Sequence, residues 1–400
     1  MGGVLLGELR LTYRRDSGEH CPVGCQMSPI HMHEVEIFPY IYMCACSRWS
    51  HAGFVISIFP YPVNESHKTF RQQVFSFFPI KIQSSRMQSL SHQYGGMHSG
   101  SWVDYFPPSW IPFIQLSRLS PPAGICLIYF PHIFGVAHVA NVCGLPANDT
   151  IRTCVALLAG SFFCSNASHA WNDLVDAEID KRIPRTRNRP IPRGAVRPMA
   201  AFIFTAVQAL CAAVILLSLS AATVETAIPS IITTIYYPYA KRHTNFAQVV
   251  LGFCLAWGVM VGSSAGGMPR PWTDTSTLCL FLASLIWVVI FDTIYAHQDL
   301  LADIKVGVGS TAVKFGESTK SFLWALFICM ATLLSLCGYD SGMRFPYYII
   351  SVGGGLSSVA AMISRVNLDD PTSCWAWFSS GFWVTGSSIA GGLLFEYALG

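Results

Sequence analysis

Asn172, Asp176 and Asp180 stand four residues apart in the run WNDLVDAEIDKRIPRTRNRPIPRG, with Asp173 beside them. On a helix this spacing projects all four side chains from one face. Carboxylates about 6 Å apart repel by roughly 2–3 kcal/mol per pair at an effective dielectric near 20. A one-sided acidic stripe therefore implies a cation, whereas an ordinary solvated helix end has no need of one. A second run, FDTIYAHQDLLADIKVGVGSTAVKFG, repeats the device with Asp292, Asp299 and Asp303 at spacings of seven and four. Hard oxygen donors in small number suit Mg²⁺, which keeps several waters and binds through few carboxylates plus substrate phosphates. The Arg-rich loop 181–197 and the pair Lys241–Arg242 supply cations suited to diphosphate oxygens. Acids, Mg²⁺ and basic residues together form the equipment for ionising an allylic diphosphate.

The elements that position these residues belong to a membrane. The chain has 400 residues, of which 52% are hydrophobic and 12% charged, about half the charge of a soluble domain. Its mean hydropathy is +0.44. Stretches free of Asp, Glu, Lys and Arg run over 119–148, 153–172, 198–224, 226–240, 243–269, 275–291, 321–339, 345–364 and 371–395. Most reach the ~17–25 residues of a spanning helix. The expected fold is all-α, a polytopic membrane protein with about nine transmembrane helices around a central cavity. Both acidic runs then fall at matching ends of the second and sixth helices. Asp292 directly follows an uncharged run, and an ionisable group at that depth is a functional candidate. Lys and Arg concentrate in the loops on the side of the acidic runs, thirteen against three, which makes that side cytoplasmic. Fourteen cysteines lie scattered in apolar surroundings as small hydrophobes rather than as a disulfide framework.

Residues 1–100 read differently. They are rich in His, Cys, Ser and aromatics, show no clear periodicity, and are expected to form a poorly structured, non-native leader, with Met87 as an alternative start. The spacings of Cys21, Cys25, Cys44, Cys46, His31 and His33 fit no zinc-finger pattern. Nothing in the chain points to nucleic acid as a partner.

NDLVDAEID is similar to the NDxxDxxxD motif of the UbiA superfamily of intramembrane prenyltransferases, and RTRNRPIPRG to that family's RTxxRPxPxG stretch. YAHQDLLAD resembles its second motif in the 4-hydroxybenzoate branch, YAxQDxxxD. The segments 117–135 and 237–242 add to the likeness, which spans 105 to 396. This resemblance implies that Asn172, Asp176 and Asp180 hold one Mg²⁺ and that Asp299 and Asp303 hold a second. Both ions would bridge to a prenyl diphosphate. Asp173 assists, Arg118 and Lys241 contact the diphosphate, Asp292 orients or deprotonates a phenol, and Tyr237 and Tyr295 flank the allylic cation. Three positions depart from the family's pattern: Ala302 where an Asp is common, Gly309 where a Lys is common, and Ser120 where Asp or Asn is common.

The motif style suits a phenolic acid acceptor. Fungal meroterpenoid enzymes that farnesylate polyketide-derived phenolic acids share it, including the lead-in Pro107-Pro108-Ser109-Trp110. The second reading is a 4-hydroxybenzoate polyprenyltransferase of ubiquinone biosynthesis. Glu8, Asp16, Glu19, Glu34 and Glu36 argue against the acid-poor mitochondrial presequence which that reading expects. A transporter would also bury acids, but near the bilayer midplane on broken helices. The expected partners are a prenyl diphosphate, a phenolic acid and the lipid bilayer, an endomembrane in particular.

Overall fold

The computed structural model describes residues 43–50, 53–60, 102–120 and 122–400. The chain divides into two units, Met1–Ser84 and Ser85–Gly400. In the first, β1 (Met43–Ser50) pairs antiparallel with β2 (Gly53–Pro60) as a two-stranded hairpin. Most of the expected leader, including Cys21, Cys25, His31 and His33, lies outside the described residues.

The second unit is helical. Each uncharged stretch contains a helix: α1 (Ala123–Cys143), α2 (Ala147–Val175), α3 (Pro198–Leu217), α4 (Ala221–Ala240), α5 (Ala247–Ala265), α6 (Thr275–Ala296), α7 (Thr319–Asp340), α8 (Phe345–Arg365) and α9 (Pro371–Leu399). Among the described residues six are long and apolar enough to cross a membrane: α1, α3, α5, α6 with its extension to Val306, α7 with its lead-in from Thr311, and α8. The count of nine crossings is therefore not reached on length and hydropathy. The helices α2, α4 and α9 fall outside that set; α2 carries Asn166, Asn172 and Asp173, and α4 carries Glu225.

Pro131, Pro229 and Pro238 lie inside helices that continue through them. The interruption in α5 comes at Trp257, between Ala247–Ala256 and Gly258–Ala265. Helix α8 contains a π-helical segment at Tyr348–Gly354. The triplet Gly353-Gly354-Gly355 lets α8 approach α9: a Cβ on Gly354 would stand 3.1 Å from Ser388 Oγ.

Close approach is sharper between α1 and α5. A Cβ on Gly135 would fall 2.1 Å from Val259 O, and one on Gly262 would fall 2.2 Å from His132 O. Two glycines facing two backbones let the helices touch along their main chains, as small residues do in membrane proteins. The core behind this contact is aromatic, with Trp287 and Phe291 of α6 packed 5.3 Å apart and Phe130, Phe134, Phe378 and Phe382 around them. Helix α3 instead turns apolar side chains outward; Met199, Leu210 and Leu217 are each about two-thirds exposed. Such a face requires lipid rather than water.

Candidate active site

Both acidic runs sit where a helix breaks. Helix α2 ends at Val175, Asp176 takes φ −86° and ψ 2°, and a short helix Ala177–Asp180 follows. The i→i−4 bonds continue through the break, Asp176 N to Asn172 O at 2.9 Å and Asp180 N to Asp176 O at 2.8 Å. Asn172, Asp176 and Asp180 therefore keep the shared face that their spacing predicts. Helix α6 ends at Ala296, passes through a 3₁₀ turn at His297–Asp299 and resumes over Leu300–Val306. Such breaks recur at functional positions because they re-aim side chains.

The two ends meet over a cavity of about 710 Å³. Asn172, Asp176, Asp180, Asp292, Asp299, Asp303, Arg118, Lys241, Tyr237 and Tyr295 all line it. Asp173 does not; it lies behind the wall, 1% exposed, where Arg118 donates to it at 2.7 Å and Arg189 at 3.2 Å. Arg118 is held in the left-handed region at φ 51°, a conformation that costs a non-glycine residue about 1–3 kcal/mol and persists only where the surroundings fix it.

The carboxylates are matched to cations. Arg189 also donates to Asp180 at 2.9 Å, and Lys241 donates to Asp176 Oδ2 at 2.7 Å. Arg185 makes a fork on Asp299, with Nε 3.0 Å from each oxygen and Nη2 2.5 Å from Oδ2. A guanidinium suits this two-point geometry as an ammonium does not. Arg185 also donates to the Tyr295 hydroxyl at 3.0 Å. Burial opposes the charge of Lys241, but the neighbouring Asp176 carboxylate outweighs it and raises the ammonium well above its ordinary pKa. Asp180 is pushed up by burial, with Asp173 and Asp176 adding to the rise and Arg189 opposing it.

Two buried oxygens are left over. Asn172 Oδ1 and Asp176 Oδ1 have no hydrogen-bond partner, and Arg242 stays 3.8 Å from the latter. An unpaired buried carboxylate oxygen is expensive, and two hard oxygens one helical turn apart fit a divalent cation. Among the described residues no three His, Cys, Asp or Glu side chains form a ready metal cage.

Reading the sequence placed the basic loop near the diphosphate but did not single out Arg185 and Arg189. Their signal was present: Arg185, Arg189 and Arg193 recur every four residues after the motif. Gln248 was missed entirely. It lines the cavity, and its Oε1 accepts from Thr311 N at 2.9 Å. Nothing in its sequence neighbourhood marks it.

Away from the acids the cavity turns apolar. Leu127, Leu157, Gly160, Ala206, Ala209, Ala213, Leu216 and Leu219 line it between α1, α2 and α3. From Asn172 to Leu157 along α2 the wall extends about 22 Å at the ordinary helical rise. One end can hold anions and the other a hydrocarbon.

Residues 128–386 match the model of the UbiA prenyltransferase family. The chain is 30% identical over 308 residues to the mitochondrial 4-hydroxybenzoate polyprenyltransferase of Schizosaccharomyces pombe, covering 76% of this chain and 86% of that one. It is 34% identical over 327 residues to prenyltransferase stbC of Stachybotrys bisbyi, covering 80% and 95%. Among solved structures, a UbiA homologue from Archaeoglobus fulgidus bound to GPP and Mg²⁺ superposes with a TM-score of 0.54 at 17% identity, over 71% of this chain and 99% of that one. The chain belongs to the UbiA prenyltransferase family and is an integral membrane aromatic prenyltransferase.

Proposed function

We propose that this enzyme transfers a farnesyl group from its diphosphate to a ring carbon of a phenolic, polyketide-derived aromatic acid, as in meroterpenoid biosynthesis, with Mg²⁺ as cofactor. The observation that carries the reading is the pair of unpartnered oxygens, Asn172 Oδ1 and Asp176 Oδ1, at the mouth of a cavity that is basic at one end and apolar at the other. Asn172, Asp176 and Asp180 would hold one Mg²⁺, and Asp299 with Asp303 the other. When bound, Mg²⁺ supplies neutralisation of the diphosphate leaving group. The likeness to an archaeal homologue bound to GPP and Mg²⁺ supports this assignment.

The chain's own residues account for the rest. Arg118, Arg185, Arg189 and Lys241 offer cations to the diphosphate oxygens, so that the allylic C–O bond breaks with its electron pair leaving on diphosphate. Tyr237 and Tyr295 present rings beside the allylic carbon, where an aromatic face is worth about 0.5–2 kcal/mol to a cation. Asp292 holds the phenol hydroxyl and raises electron density in the ring. The ring's π pair forms the new C–C bond, and a base removes the ring proton to restore aromaticity, with Asp292 placed to assist. The acidic ends face the cytoplasm on an endomembrane, in keeping with the excess of Lys and Arg in the loops on that side.

A second reading, a long polyprenyl chain attached to 4-hydroxybenzoate, has the support of the Schizosaccharomyces pombe relative. The two separate in one assay. Membranes carrying the enzyme are given Mg²⁺, a series of prenyl diphosphates and a panel of phenolic acids. Farnesylation of a substituted phenolic acid supports the first reading; polyprenylation of 4-hydroxybenzoate alone supports the second.

A further inference from the structure

Gln248 is the second residue of α5 and is 5% exposed, yet it lines the same cavity as Asp292. Its Oε1 accepts a hydrogen bond of 2.9 Å from the backbone N–H of Thr311. Thr311 opens a short helix, Thr311–Phe315, capped by Ser310, whose Oγ accepts from Val313 N at 3.1 Å. The first N–H groups of a helix have no partner within it, and Gln248 satisfies one of them. Thr311 is fixed from a second side as well, by a 2.7 Å hydrogen bond between its hydroxyl and that of Thr293, the neighbour of Asp292.

This arrangement decides the orientation of an amide that is otherwise ambiguous. A backbone N–H can only donate, so the atom of Gln248 that meets Thr311 is the oxygen. With the oxygen held by Thr311, the NH₂ group is the end left for the cavity that Gln248 and Asp292 line together. A glutamine that merely capped the helix would have no need to stand in the cavity wall.

We propose that Gln248 is the positioning residue for the aromatic acceptor: locked by Thr311 N–H, it donates to one oxygen of Asp292 and leaves the other for the phenol hydroxyl. The inference rests on the role proposed above for Asp292. It separates from diphosphate binding because Lys241 and Arg185 engage other carboxylates.

The test is steady-state kinetics of the purified wild type and the Gln248→Glu variant with Mg²⁺, farnesyl diphosphate and the phenolic acid that the wild type uses. Glutamate keeps the shape and the acceptor for Thr311 N–H but turns an oxygen toward Asp292. The KM for the phenolic acid is expected to rise about tenfold or more with kcat also reduced, while the KM for farnesyl diphosphate stays within about twofold. On an Asp292→Asn background the same change should add no further loss, because contacting residues of one unit are non-additive. Gln248→Leu removes both contacts; if it does not fold, Gln248→Glu carries the test alone. An unchanged acceptor KM, or equal rises in both KM values, overturns the inference and leaves Gln248 a structural fastener. A wild type that prenylates no phenolic acid overturns the proposed function and this inference with it.

Discussion

Lys241 donates to one oxygen of Asp176 at 2.7 Å, while the other oxygen of the same carboxylate is buried without a hydrogen-bond partner. Asp176 is thus half satisfied by the protein. Asn172, one turn earlier, leaves its own oxygen in the same condition. Under the proposed function this pair would receive the cation, and Lys241 would meet the diphosphate.

Asp176→Asn and Asp299→Asn are expected to reduce transfer by about a thousandfold each, the scale at which a preorganised electrostatic contact is lost. Asparagine keeps one acceptor oxygen for Lys241 or Arg185 while removing the counter-charge, so each cation keeps part of its pairing. Alanine would strand the cation, at about 3–5 kcal/mol. Turnover in membranes, beside the amount of inserted protein, checks this; full activity in either variant removes that motif from the site.

Arg185→Lys keeps the charge and loses the fork on Asp299 together with the contact to Tyr295. The kcat/KM for the diphosphate is expected to fall by about ten- to a hundredfold, equal to about 1.4–2.7 kcal/mol. A variant with wild-type kinetics would reduce Arg185 to a carrier of charge.

Asp292→Asn is nearly isosteric and cannot take a proton as a carboxylate does. It is expected to retain Mg²⁺-dependent binding of prenyl diphosphate and lose most transfer. Diphosphate affinity and turnover measured on the same preparation decide the point. If both fall together, Asp292 belongs with the metal ligands.

Gly160 faces the apolar end of the cavity, where a Cβ would meet only Ile215 at 3.6 Å. Gly160→Phe should narrow the channel without a backbone clash. Geranyl diphosphate should remain a substrate, while farnesyl and geranylgeranyl diphosphates lose kcat/KM progressively. A uniform loss across the series would place the hydrocarbon elsewhere.

Gly309 donates its N–H to Lys241 O at 2.8 Å, and a Cβ there would stand 2.2 Å from Thr244 O. Gly309→Ala must therefore move one of two loops, at about 1–3 kcal/mol, and Lys241 with it. The expected outcome is a raised KM for the diphosphate and an unaltered KM for the acceptor.

The acidic stripes were legible because helical periodicity converts a spacing of four into a shared face, and Asn172, Asp176 and Asp180 all reached one cavity with Asp299 and Asp303. Asp173, at three and seven residues from Asp176 and Asp180, was expected on the same face but lies behind the wall, since a single residue step from Asn172 turns a side chain by about 100°. The breaks at Asp176 and at His297–Asp299 were not legible: no proline or glycine stands within 172–183 or 292–306, and tertiary packing sets them. Gln248 was hidden for a related reason. Its partner Thr311 and its cavity neighbour Asp292 lie 63 and 44 residues away in the chain, and periodicity carries no information at that range. Gly309, a departure from the family's pattern, became intelligible only once Thr244 was seen against it.

The pairing of four of the site's acids with Arg or Lys has a consequence for how the protein is made. Asp173, Asp176, Asp180 and Asp299 already have basic partners in the polypeptide itself. A nascent chain leaving the insertion machinery can therefore close this end of the bundle without waiting for an ion. Zinc-dependent modules that are unfolded without their metal behave in the opposite way. Removing divalent ions from the finished enzyme should silence it while leaving its melting temperature nearly where it was, and restoring them should need no refolding.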